Sequence, residues 1–207
     1  LSGGARAWVQ IEAPETREVE GVKHRPFGTA ATSCDGSLAT TYGRGTTAVV
    51  CDNTLSVALG EFSASVKVKH SRNSLGRLTD VRDALHIVHE AGDAFEAQVR
   101  ALIAQPVSEA RFDRFVKAYS EPKSDGKRAQ TLATNKTAAL WRLWSTDLRV
   151  SPWRGTAYGV LTAVNTYTQH EQDVRGADRA IRHMEQMVTG AHDKTDAETL
   201  KLLATVV

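Results

Sequence analysis

The residues with the most chemical content stand in mid-chain: Lys67, Lys69, His70, Arg72 and Arg77. Lys67 and Lys69 belong to the alternating stretch FSASVKVKH, where residues two apart share one face of a strand, about 7 Å from each other. That spacing is close to the separation of successive phosphates, so this set suits contact with a nucleic-acid backbone. Arg44, between Gly43 and Gly45, joins it as a cation where the chain can approach a phosphate closely. A plainer account exists for each. Lysines on a solvent face or a sheet edge guard against strand-to-strand aggregation, and Gly-Arg-Gly is an ordinary turn.

Three further constellations divide in the same way. Trp141, Arg142, Trp144, Arg149, Trp153 and Arg154 place aromatic rings beside cations, as stacking on unpaired bases requires. Trp141 and Trp144 are also three apart on a helix, beside Leu140 and Leu143, and so suit a helix-pair core. Asp83, His86, His89, Glu90 and Asp93 bring metal-type side chains to one helix, but the order His-x-x-His-Glu differs from the zincin His-Glu-x-x-His. Polar residues beside an apolar seam account for them more simply. Cys51 would be a nucleophile if His70 reached it, and a small hydrophobe otherwise. The Gly-containing segment from Arg154 to Gly159 lacks dinucleotide-binding spacing, and its small residues suit close helix approach. No nucleophile elbow or phosphate-binding loop is present. The sequence therefore calls for no catalytic residue, metal or cofactor.

These residues need elements to hold them. ARAWVQIE alternates small or apolar Ala5, Ala7, Val9 and Ile11 with Arg6, Trp8, Gln10 and Glu12, which predicts a half-buried strand. The charged, aperiodic stretch from Pro14 to Pro26 reads as a loop or exposed hairpin. GTAATSC, Asp35-Gly36 and SLATTY form a hairpin signal. Gly43-Arg44-Gly45 reads as a break before TTAVVC, and Asp52-Asn53-Thr54 as the cap of a helical turn reaching Leu59. With the basic strand, this predicts an antiparallel meander of about five strands. From Leu78 the period changes: Leu78, Val81, Leu85, Val88, Phe95, Val99 and Leu102 mark one long heptad-patterned helix, with Gly92 as its one gap. Gln105-Pro106 stops it, Ser108 caps a shorter helix holding Phe112, Phe115 and Tyr119, and further helices are expected near 127–145, 153–170, 178–188 and 195–206.

Strands first and helices afterwards predict an α+β fold, with 1–105 as meander plus packing helix and 106–207 as a helical subdomain. The helix is expected across the sheet's apolar face, leaving Lys67 and Lys69 outward. With 41% hydrophobic and 24% charged residues, the 207-residue chain is long enough to bury its own core and has no run fit to span a bilayer. Two cysteines make no disulfide framework and suit a reducing cytoplasm. The net charge of +2 says little, but between Val66 and Arg82 the cations face only Asp80. The opening LSGGARAWVQI has neither an initiator Met nor a signal layout and reads as the start of a fragment.

GGARAWVQI, the DGS turn, VVCDNTLSVAL, VKHSRNSLGRL and RGTAYGVLTAVNTY, in that order from Gly3 to about Lys201, resemble the family grouped as domain of unknown function 932, also called phage/plasmid-like protein. Its members carry about a domain's worth of residues before the Gly-Gly strand. The resemblance implies a mobile-element origin and a location in the host cytoplasm, and hands over no catalytic residue. In layout, a meander followed by a long helix is also similar to phage single-strand annealing proteins. The expectation is a self-associating protein that binds single-stranded nucleic acid without sequence preference. A protein-interaction module built on the helical half, and a metal-dependent nuclease using Asp83, His86 and Glu90, are the alternatives.

Overall fold

The computed structural model describes residues 6–36, 40–48, 53–55, 66–68, 81–173, 178, 179, 181, 182, 186 and 191–206; of 6, 40–45, 47–48, 53–55, 66–68 and 81–91 it describes the backbone alone. The fold is α+β, with an antiparallel sheet followed, among the described residues, by five α-helices given with their bounds below. The chain divides into two compact units, Leu1–Gln98 with Val174–Lys194, and Val99–Asp173 with Thr195–Val207.

In the first unit three long strands, β1 (Arg6–Glu12), β3 (Val22–Ser33) and β4 (Thr40–Ala48), carry the sheet. Three strands of three residues each, β2 (Arg17–Val19), β5 (Asn53–Leu55) and β6 (Val66–Val68), extend it. β3 is central: β1 and β2 pair along one side of it and β4 along the other, while β5 and β6 add to the far side of β4.

Several expectations are corrected here. Of the two readings for Pro14 to Pro26, the loop fails and the hairpin holds, formed by β2 and the start of β3, though Val19, Val22 and His24 are buried in it rather than exposed. Glu20 (φ 49°) and Gly21 (φ 76°) close a two-residue hairpin between Val19 and Val22, the positive pair that a type I′ turn requires. Pro26 is tolerated inside β3 because its missing N–H falls opposite Ala13, between the end of β1 and the start of β2; the Pro26 carbonyl still accepts from the Ala13 N–H at 2.9 Å. Gly43 and Gly45 do not break the chain: β4 runs through both, and Gly45 pairs with the buried Phe27, leaving that ring a cross-strand neighbour without a side chain. Asn53 starts no helical turn, since Asn53–Leu55 pairs with Thr46–Ala48 as β5. The Asp35-Gly36 signal fares better, with Gly36 at φ 74°.

Helix α1 (Val81–Ile103) packs Phe95 against His24, with ring centroids 4.8 Å apart, over the β2–β3 end of the sheet. The gap at Gly92 has a steric cause: a Cβ there would meet Pro26 Cγ at 2.9 Å and collide with the Arg17 guanidinium. Because the helix covers that end, the apolar face of β1 is left open. Val9 is 55% and Ile11 64% exposed, against the half-buried face expected for them. β3, by contrast, is buried on both of its faces, through Val22, His24 and Pro26 on one and Phe27, Ala31 and Ser33 on the other. The simple picture of one covered and one bare sheet face therefore fails along the central strand, which has neighbours on both sides.

The second unit is helical. Helix α1 stops at Ile103, just before Gln105-Pro106 as expected, and α2 (Glu109–Tyr119) starts at Ser108, whose Oγ accepts from the Arg111 N–H at 3.2 Å. Then follow α3 (Lys127–Thr146), a 3₁₀ turn at Ser151–Trp153, α4 (Ala157–Thr166) running into a π-helical turn at Tyr167–Glu171, and α5 (Ala191–Thr205). Every residue of α4 is buried. Its Gly159 admits the backbone of Trp153 in the preceding 3₁₀ turn, where a Cβ would meet the carbonyl carbon at 2.9 Å, a local approach rather than the close helix–helix approach expected of this segment. Phe112, Phe115, Val116, Leu140, Leu143, Trp144, Tyr158 and Leu203 form the core around it.

Candidate nucleic-acid interface

Of the predicted cationic set, Lys67 and Arg44 fall on described backbone; Lys69, His70, Arg72 and Arg77 lie outside the described residues, as does Cys51. Lys67 is the middle residue of β6, the edge strand on the far side of β4 among the described residues. It pairs with Thr41, which pairs with Ala31 and through it with Trp8. Arg44 pairs with Gly28 and through it with Ile11. Thr41 and Arg44 are an odd number of positions apart in one continuous strand, so the pleat assigns the two columns to opposite faces. Arg44 shares the face of His24 and Pro26, over which α1 packs, and Lys67 shares the face of Phe27 and Ala31. The sheet does not gather these two predicted contacts into one surface.

The aromatic and cationic cluster of the second unit is a core. Trp144, 1% exposed, stacks on Phe112 with centroids 4.1 Å apart at 17°. Trp141 meets both rings edge-on, at 4.9 Å from Phe112 and 5.7 Å from Trp144. Trp153 stands edge-on to Tyr158 at 5.3 Å. The arginines beside them are occupied. Arg142 reaches both Glu171 oxygens at 2.6 Å, Arg149 binds Asp147 at 2.7–2.9 Å and holds that carboxyl below its ordinary range, and Arg154 pairs with Glu109 while lying 5.1 Å over the Trp144 ring. Trp144 is buried and stacked on Phe112, and Trp141 and Trp153 lie edge-on against neighbouring rings, so the cluster reads as packing.

Two other cations complete helix ends. Arg111 donates to the Leu203 and Val206 carbonyls at 2.9 and 3.0 Å, closing the C-terminus of α5. Lys136 donates to the Tyr119 carbonyl at 2.9 Å at the end of α2, with its ammonium 3.6 Å from the Tyr119 ring centroid. Burial, and then the charge of Lys123, bring Lys136 down to about 8; burial, with the charges of Tyr167, Asp196 and Glu198, pushes Tyr119 up to about 12.

Sequence reasoning passed over two groups. One is the network binding sheet to helix in the first unit: Arg17 contacts Asp93 at 2.5 Å and Glu96 at 2.7 Å, and the fully buried His24 holds Nε2 3.5 Å from the same Glu96 oxygen. Burial lowers the His24 pKa, with Glu96 opposing and Arg17 reinforcing the change. Asp93, counted among the metal-type residues of α1, is thereby engaged with Arg17. The backbone places Asp83, His86, His89 and Glu90 on the earlier turns of α1, and among the described residues no three His, Cys, Asp or Glu side chains are placed to hold a metal. The Glu20-Gly21 hairpin was the signal for this network, since it brings Arg17 beside His24. The second group is a set of exposed cations in the helical unit, Arg114, Lys123, Lys127 and Arg128, visible in sequence as the basic residues around the EPKSDGK loop.

Among the described residues no helix is long and apolar enough to cross a membrane. A family model described as Domain of unknown function (DUF932) matches residues 1–189. No curated protein and no solved structure matches the chain.

Proposed function

The chain belongs to the family of the Domain of unknown function (DUF932), a membership that fixes no activity, and we propose from the placement of its cations that it binds single-stranded nucleic acid without sequence preference. The observation that carries this reading is Lys67 on the edge strand β6, inside the run Val66–Arg82 where Lys67, Lys69, Arg72, Arg77 and Arg82 face only Asp80. A strand edge rich in cations tracks a phosphate backbone without reading bases. The ion pairs and ring packing of the Trp and Arg cluster speak against it as the rival interface. Arg44 belongs to the other sheet face and is left out of this interface. A sheet followed by a long helix, a layout shared with phage single-strand annealing proteins, suggests annealing in recombination or replication of a mobile element as the setting; the heptad spacing from Leu78 to Leu102 would then serve as the packing seam of that helix.

Fluorescence anisotropy with labelled single- and double-stranded oligonucleotides at several salt concentrations tests the reading. Contact with about four phosphates gives an affinity falling as roughly the third power of salt for a single strand, and replacing Lys67 and Lys69 together by Ala lowers that exponent to about half. An unchanged exponent removes the strand edge from the interface. Should the exponent fall instead in Lys127→Ala/Arg128→Ala, the interface lies in the helical unit.

A further inference from the structure

β1 is open on its outer side: among the described residues it pairs with β3 alone, and it has neither Lys, Pro nor Gly between Arg6 and Glu12 to blunt the edge. The direction of its main-chain groups follows from one hydrogen bond. Ala13 N–H donates to the Pro26 carbonyl in register with the β1–β3 ladder, so odd-numbered residues of β1 turn their N–H and C=O toward β3. The even-numbered residues, Trp8 and Gln10 with Arg6 and Glu12, turn theirs outward. The open edge also exposes Val9 and Ile11 on one face.

We propose that β1 pairs antiparallel with β1 of a second copy of this chain, about a two-fold axis at Val9. In that register Trp8 stands opposite Gln10 and Arg6 opposite Glu12 of the other copy, and each such pair joins even-numbered residues, whose N–H and C=O groups are the ones pointing outward. Val9 meets Val9 and Ala7 meets Ile11 as non-hydrogen-bonded pairs, where side chains approach most closely. One apolar stripe then runs through both copies on one face. The strand begins with a cation and ends with an anion, so it is complementary to itself only when reversed. Shifting the dyad by one residue sets Arg6 against Gln10 or Trp8 against Glu12, and loses the ion pair at both ends. Glu12 already accepts from Gln10 at 3.0 Å and lies 3.9 Å from Arg25, so it is held at the strand's end where the second Arg6 would arrive. The pairing would join two sheets into one and needs none of the cations near Lys67.

Sedimentation velocity of the 207-residue chain at micromolar concentration should give a dimer. Gln10→Pro removes an outward N–H while leaving the ladder to β3 intact, and Val9→Lys sets two cations against each other at the dyad; both should sediment as monomers with unchanged helical circular dichroism. Arg6→Glu or Glu12→Arg alone should raise the dimer dissociation constant about tenfold, because each lesion acts twice across the axis, and the double reversal should restore it. In a background with Cys34 and Cys51 replaced by Ser, Val9→Cys should crosslink on oxidation, since a non-hydrogen-bonded pair has Cα atoms about 4.5 Å apart. Ile11→Cys, equally exposed, should not. A monomeric parent chain overturns the proposal. So does a dimer that survives both Gln10→Pro and Val9→Lys, or one in which Ile11→Cys crosslinks and Val9→Cys does not.

Discussion

In the helical unit, Arg111, Lys136, Arg142, Arg149 and Arg154 each end on a carbonyl or carboxylate of that same unit. In the sheet unit, Arg17 does likewise with Asp93 and Glu96, but Lys67 sits on an edge strand at the start of a run with one acid among five cations. Under the proposed interface, the same residue types serve different ends in the two regions. Where a cation closes a helix terminus or lies over a ring, its charge is neutralised locally and it contributes to packing. Where cations follow one another in sequence with a single acid among them, as from Lys67 to Arg82, the run itself carries little to neutralise them, and in our proposal an external polyanion complements them. Aromatic rings beside arginines, a tempting sign of base stacking, mark the first situation in this molecule.

The largest effect that would break this contrast is expected at Trp144. Fully buried and stacked on Phe112, it should cost about 3–5 kcal/mol when replaced by Ala, read as a shift in the denaturation midpoint. Trp144→Phe keeps most of the packing and should leave oligonucleotide affinity unchanged. A folded Trp144→Phe protein that binds single strands tenfold more weakly would return the cluster to nucleic-acid duty. Next is Gly92→Ala. Ala is the better helix former by about 1 kcal/mol, yet the added Cβ meets Pro26 and Arg17, so the variant should lose about 1–3 kcal/mol through overpacking. Greater stability would mean that α1 does not approach β2 and β3 as closely as Gly92 permits.

How much of this was legible depends on whether the signal was local. Ser108 and Gln105-Pro106 are local, and the end of α1 at Ile103 and the start of α2 at Glu109 fall within a few residues of them; Leu78 lies outside the described residues, and α1 is described from Val81. The Asp35-Gly36 turn is local too. Pro26 inside a strand is not, since its tolerance depends on the gap between β1 and β2 across the ladder. Nor are Gly43 and Gly45, which are turn formers by propensity but pair with Thr29 and Phe27 of a strand more than ten residues away. The reversal at β1 is of the same kind: alternation located the strand correctly, but which face is covered depends on where α1 lands. For the candidate interface, sequence located the basic run and could not assign faces. Only the register separates Arg44 from Lys67. Ion pairing of Arg142 with Glu171 and Arg154 with Glu109 spans tens of residues, so the Trp and Arg cluster could not declare itself a core.

Titration sharpens the contrast from within each unit. Burial lowers the His24 pKa, so the folded state favours the neutral ring, while an unfolded histidine protonates near 6.5. The unfolded chain therefore binds more protons below that value, and the stability tied to His24 is complete above about pH 6.5 and lost as the pH falls from there. Melting temperatures between pH 7.5 and 5.5 should show this fall, reduced in His24→Phe; an equal fall in the variant would mean that other groups set the acid limit.

The smallest effect is expected at Lys136, and its sign is opposite to that of an ordinary stabilising ion pair. Its folded pKa is lowered to about 8 from 10.5, chiefly by burial. Between those values the unfolded chain holds the proton and the folded one releases it, so stability should rise as the pH goes up through 8. Tyr119, pushed up to about 12 from 10.0, works in the other direction only above pH 10, where the unfolded phenol ionises first. The interval from pH 8 to 10 therefore isolates the lysine. Melting temperature should climb there in the parent chain and stay level in Lys136→Met, which keeps the aliphatic stem over the Tyr119 ring. A level parent curve would mean that the ammonium, held by the Tyr119 carbonyl and ring, is as well solvated by the protein as by water, and that this cation contributes to the core at full charge.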